Sequence, residues 1–202
     1  MKGYEDPARA PGPGCPGGAG PAPPAPSCIP VYRQAEAARI LGIPRSTLRH
    51  WAAGGAAGLV TVTRPAGRGG PSVPFTGLAE AFVLASLRRA GVPMQRIRAG
   101  VARLRAELGV RPVLASSRLR AAGGELLWLD ADGGLAEARS GQLVLREVIE
   151  DGLGRVSYDA GGWARAITIR RGDSELVVDP LVNGGRPFPP GPGPGRPAAG
   201  AG

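Results

Sequence analysis

Between Glu36 and Trp51 the chain reads EAARILGIPRSTLRHW, and few arrangements of backbone accept that order of residues. Ala38 is small where two helices would cross. Gly42 stands four residues later, where a turn with positive φ is needed, and Pro44 suits the first position of a second helix. Ile43, Leu48 and Trp51 then supply an apolar inner face, which is the pattern of a helix-turn-helix. With those residues turned inward, helical geometry sets the rest. Arg45, Ser46, Arg49 and His50 fall at i, i+1, i+4 and i+5 and project together away from the core. Guanidinium, hydroxyl and imidazole groups on one outward face match guanine and phosphate oxygens in a major groove. The alternative for the same residues is a solvated basic face on an amphipathic helical hairpin.

Charge supports a polyanionic partner for the front of the chain. Residues 30–120 hold fifteen Arg against three Glu, whereas residues 121–180 hold six Arg against eleven acids. The net +9 is therefore concentrated in the front half, and the rear half has another role. Lysine occurs once, at Lys2, so part of the arginine excess is also what a GC-rich coding bias would produce.

The ends are rich in Gly and Pro and poor in apolar bulk, so residues 1–29 and 188–202 read as disordered tails. Between them the reading is an α+β chain in two parts. Residues 30–110 form a winged helix-turn-helix domain with two following helices, and residues 111–187 a small mixed α/β region. The run LVTVT, Leu59–Thr63, reads as a β-branched strand, and the turn-rich loop after it carries Arg64 and Arg68. A strand and loop at that distance suit a wing, whose arginines would meet backbone phosphate; an ordinary surface loop is the alternative. Arg33 and Arg39, before and on the first helix, are further phosphate candidates.

Two longer helices follow. In TGLAEAFVLASLRRAG the apolar side carries Leu78, Ala81, Phe82, Ala85 and Leu87. In PMQRIRAGVARLRAELG, Ile97, Val101, Leu104 and Leu108 form a stripe, beside which stand Arg96, Arg98, Arg103 and Arg105. Those arginines read chiefly as the solvated side of a packing helix. Further on, GELLWLDADG suggests a strand and turn, GQLVLREVIEDGL a helix, RVSYDAGGWARAITIR a hairpin and SELVVDP a final strand.

The chain shows no combination of residues that resembles a catalytic site. It has no Ser/His/Asp set, no phosphate-cradling loop and no metal cluster, so no enzymatic activity, metal or cofactor is expected. His50 is the only histidine. Cys15 and Cys28 have neither metal-ligand spacing nor the number of a disulfide framework, so reduced thiols in a cytoplasmic protein are expected. No apolar run approaches a membrane span, and the N-terminus lacks the apolar core of a signal peptide.

The segment EAARILGIPRSTLRHW resembles the MerR-type winged helix-turn-helix, whose members grip DNA with two helices and a wing, usually as dimers. The long coiled-coil helix of MerR activators and their effector-binding cysteines are missing here. A wider resemblance covers roughly 30–188. The segments PSVPFTGLAEAFVLASLRRAGVPMQRIRAGVARLRAELG, GQLVLREVIEDGLGRVSYD and VVDPLVNGGRPF are similar, in the same order, to those of VapB-like antitoxins. These carry a winged helix-turn-helix and a domain of unknown function 433, with Asp179, Pro180 and Gly185–Pro187 as the closing signature. The resemblance implies double-stranded DNA and a PIN-like ribonuclease toxin as partners, a homodimer, and repression of the pair's own operon. In that family GRP opens a further small domain; here PPGPGPGRPAAGAG follows, so that domain is expected to be missing. Two other readings remain. One is an interaction module that sequesters a partner without binding DNA. The other is an effector-responsive regulator with a pocket in 111–180 lined by Trp128, Tyr158 and Trp163, for which a place in the core is the alternative.

Overall fold

One helix, Phe75–Arg89, is buried on every side from Phe75 to Leu87, and the described chain is arranged around it. The computed structural model describes residues 22–54, 57–119, 152 and 154–191. In chain order it contains α1 (Ala25–Cys28), β1 (Pro30–Tyr32), α2 (Gln34–Leu41) and α3 (Arg45–Ala52). Then come β2 (Val73–Pro74), the central α4 (Phe75–Arg89), α5 (Met94–Leu108) and a 3-10 turn at Val113–Ala115. The rear adds β3 (Val156–Tyr158), β4 (Ala164–Arg171), β5 (Ser174–Val178) and a 3-10 turn at Asn183–Gly185. The class is α+β, with helices in front and an antiparallel sheet behind.

α4 packs against α1, α2, α5, β1, β2, the turn at Val113–Ala115 and β4. That explains why it carries apolar residues all round rather than one stripe: a helix covered on all sides has no solvent face to make polar. Residues of front and rear form one continuous buried cluster, from Tyr32 and Leu48 through Phe82 to Ile167 and Val178. α5 is an ordinary amphipathic helix by contrast, with Ile97, Val101 and Leu104 buried and Leu108 packed at the margin.

Two sheets result. β1 and β2 pair antiparallel, and β3, β4 and β5 form a meander in that spatial order. Ala166 faces Ser157 and Ala164 faces Tyr158, so Arg165 is the extra residue of a bulge. The bulge shifts the phase of the strand by one. Ala164 and Ile167, three apart, are therefore both buried, and normal alternation resumes with Ile169. Trp163 is buried at the hairpin and Tyr158 is partly buried against the core; Trp128 lies outside the described residues.

Several expectations change. Leu59–Thr63 is not a strand. The N–H groups of Leu59 and Val60 donate to the Trp51 carbonyl at 2.9 and 3.3 Å, folding the chain back over the end of α3. The Thr61 N–H donates to Glu80 Oε2 at 2.6 Å instead of to a neighbouring strand. Glycine at position 77 lets this segment lie so close, because a Cβ there would overlap the Thr61 carbonyl. The strand beside β1 is supplied by Val73–Pro74.

Residues 22–29 are described as well. They hold α1, and Thr76 Oγ1 donates to the Ser27 carbonyl at 2.9 Å. Cys28 is buried, and Cys15 lies outside the described residues. The tail readings for 1–21 and 192–202, the strand at 124–133 and, apart from Gly152, the helix at 141–153 also lie outside them.

The closing segment folds back onto the front of the molecule. Asp179 Oδ1 accepts the Leu181 N–H at 2.8 Å in an Asx turn. The Tyr32 hydroxyl donates to the Gly185 carbonyl at 2.8 Å, and burial, with the charges of Glu36 and Asp179, pushes its phenol well above the ordinary range. Val177 and Phe188 exchange backbone hydrogen bonds at 2.7 and 2.9 Å.

Candidate nucleic-acid interface

The turn between α2 and α3 is built by backbone geometry alone. Gly42 has φ 65°, the Ile43 N–H donates to the Ala38 carbonyl at 3.0 Å, and the Gly42 N–H donates to that of Arg39 at 3.3 Å. That pair of bonds is a Schellman motif, which ends α2 and aims the chain into α3. Nothing lies within 4 Å of where a Gly42 Cβ would sit, so glycine is required here for its φ and not for space. Ala38 is buried at the crossing, as the small residue demands. Pro44 caps α3 from just outside it, one position earlier than the sequence suggests, within the usual uncertainty of helix ends.

α3 divides cleanly into two faces. Leu48 is 0% exposed and Trp51 4%, whereas Arg45, Ser46, Arg49 and His50 are all exposed. Its eight residues include no acid, so the outward face is uniformly cationic or neutral. The end of the helix is fixed from two directions. The Trp51 carbonyl receives Leu59 and Val60, and Arg105 of α5 donates to the Gly58 carbonyl at 2.8 Å and to that of Arg111 at 3.0 Å. Arg105 is thus a structural residue that clamps the segment after α3 to α5.

The remaining candidates occupy separate places. Arg33 is the N-cap of α2 with its side chain exposed, and Arg39 is exposed on the last turn. Arg64 and Arg68 are exposed on a loop closed by the Thr63 N–H on the Ser72 carbonyl at 2.8 Å. The Ser72 N–H donates to the Tyr32 carbonyl at 2.9 Å, which brings the loop base beside Arg33. Among the described residues no hydrogen bond joins residues 64–71 to α3.

One neighbour of α3 is not evident from the sequence. Arg98 of α5 lies with Nη2 3.3 Å from His50 Nε2. A guanidinium donates and never accepts, so in a hydrogen bond between them Arg98 is the donor. Arg98 therefore extends the exposed basic surface beyond α3, and only tertiary packing reveals it. Arg103, further along α5, is occupied by Glu107 at 2.8 Å.

Beneath this surface lies Glu80 of α4, fully buried. Burial raises its carboxyl to about 7, against the lowering effect of the Thr61 hydrogen bond and of Arg105 and Arg111. Its Oε1 has no hydrogen-bond partner among the described residues. Among those residues there is also no cluster of His, Cys, Asp and Glu able to hold a metal ion, and no helix long and apolar enough to cross a membrane.

Comparison with known proteins agrees with this geometry. A family model described as "Putative DNA-binding HTH domain" matches residues 30–101. The protein named "Putative antitoxin VapB45", from Mycobacterium tuberculosis (strain ATCC 25618 / H37Rv), is 36% identical, over 79% of this chain and 76% of its own length. The crystal structure of Rv2018 from Mycobacterium tuberculosis aligns at 36% identity with a TM-score of 0.65, covering 79% of each chain.

Proposed function

Since the chain belongs to the family of the VapB45 antitoxin, we propose that it is a sequence-specific DNA-binding antitoxin that represses its own operon. The observation that carries this reading is the division of α3. Leu48 and Trp51 hold the helix to the core, and that leaves Arg45, Ser46, Arg49 and His50 in solvent at major-groove spacing. In this reading those four contact base edges, while Arg33, Arg39, Arg64 and Arg68 contact phosphates. Arg98, beside His50, joins the phosphate set. The loop at 64–71 acts as the wing of a MerR-like arrangement. The protein works in the cytoplasm as a homodimer on a pseudo-palindromic site and neutralises a PIN-like ribonuclease toxin.

The test is retention of duplex DNA from upstream of the protein's own gene. A good bidentate arginine–base contact is worth about 1–3 kcal/mol, so Arg45→Ala with Arg49→Ala should weaken specific binding by about thirtyfold or more. Affinity should also fall steeply with salt as phosphate contacts release counterions. Unchanged binding by the double variant would overturn the assignment of α3 as the recognition helix.

A further inference from the structure

Gly77 and Glu80 lie one turn apart on the same face of α4, and a single residue covers both. The Thr61 carbonyl rests on Gly77, where a Cβ would overlap it, and the Thr61 N–H donates to Glu80 Oε2 at 2.6 Å. The stretch 58–63 is therefore a lid laid flat on α4, and the carboxyl beneath it is 0% exposed. The residues of the lid, Gly58 to Thr63, carry no charge. Among the described residues, the charges acting on the carboxyl belong to Arg105 of α5 and to Arg111 just past that helix.

The same lid closes the end of α3. Leu59 and Val60 give their N–H groups to the Trp51 carbonyl, and Arg105 fastens Gly58 to α5. Lifting the lid hydrates Glu80 and uncaps α3 in one movement. Water stabilises a carboxylate far better than a buried site does. With the lid down, burial holds the carboxyl at about 7, against 4.5 in water. The closed form keeps a proton that the open form sheds, so opening becomes easier as pH rises between those values.

We propose that Glu80 and the stretch 58–63 form a proton-sensitive latch on the C-terminal end of α3, shut over the neutral acid and released as the acid ionises. The latch does not depend on what α3 binds. A ligand that engages the end of α3 favours the shut form and so, by linkage, the uptake of a proton. Hydrogen exchange of the full chain, read by NMR from pH 5 to 8 and corrected for the intrinsic amide rate, tests this. The Leu59 and Val60 amides should open more easily than those of Val83 and Leu84 in the buried middle of α4, which report global unfolding. Opening at Leu59 and Val60 should grow about tenfold per pH unit from pH 5 to 7 and level off above it. In Glu80→Gln it should stay constant with pH. Lid amides that open no more easily than Val83 and Leu84, or opening independent of pH in the wild-type chain, would overturn the proposal. So would the same pH dependence in Glu80→Gln. The first two readings need no substitution, so they decide the matter even where the variant does not fold.

Discussion

Replacing Glu80 by glutamine should make the protein more stable above neutral pH and less sensitive to pH. The carboxyl is 0% exposed, has one hydrogen bond from Thr61 and has its other oxygen unpartnered. In the folded chain it titrates at about 7 instead of 4.5. Between those values the native state holds a proton that the unfolded chain has released, so stability falls as pH rises through this window. At about 1.4 kcal/mol per pH unit, Glu80 alone makes the fold about 3 kcal/mol less stable above pH 7 than near pH 4.5. Glutamine keeps an oxygen for the Thr61 N–H and removes the charge. Its new amide N–H groups lack an evident acceptor, which costs about 1–2 kcal/mol. The net expectation is a gain of about 1–2 kcal/mol at pH 8, shrinking to nothing or reversing by pH 5. Urea denaturation of both proteins at pH 5, 6, 7 and 8 reads this directly. Contributions from all other groups are common to the two chains and cancel in the difference. Parallel stability curves for Glu80→Gln and wild type across that range would refute the reasoning.

Three other substitutions probe the same framework. Gly42→Ala meets no steric clash but must hold φ 65°, so it should cost about 1–2 kcal/mol, read as a lower thermal midpoint. Arg105→Gln removes donors to Gly58 and Arg111 and a positive charge near Glu80. It should cost about 1–3 kcal/mol and speed hydrogen exchange at Leu59 and Val60, whose N–H groups cap α3. Glu107→Ala, by contrast, breaks only an exposed i,i+4 pair with Arg103, so its effect should stay within about 0.5 kcal/mol in the same denaturation experiment.

How legible each element was depends on how far away its partner lies. The α2–α3 pair was readable because its determinants are local. Gly42 turns the chain through bonds to Ala38 and Arg39, and Leu48 and Trp51 lie on one side of a two-turn helix. The hairpin of β3 and β4 was readable for the same reason. α4 was underestimated because a helix buried from Phe75 to Leu87 has no polar face to contrast with its apolar one. Glu80 inside that run was the available sign, since a lone acid in an apolar helix marks either a solvent face or a buried partner. Leu59–Thr63 looked like a strand because β-branched alternation reports a preference for extended backbone, without naming what the N–H groups bond to.

The sequence by itself determined the helix-turn-helix and the choice of outward residues on α3. Helical periodicity and one positive φ act over a few residues and need no distant partner. Tertiary structure alone decided that Thr61 bonds to a buried carboxylate, that Arg105 is a clamp while Arg98 stands beside His50, and that Tyr32 is tied to Gly185. It also gathered Arg89, Arg155, Arg170 and Arg171 around one cavity. These contacts join residues far apart in the chain. What selects them is the burial of α4 by everything packed around it, and no local pattern encodes that.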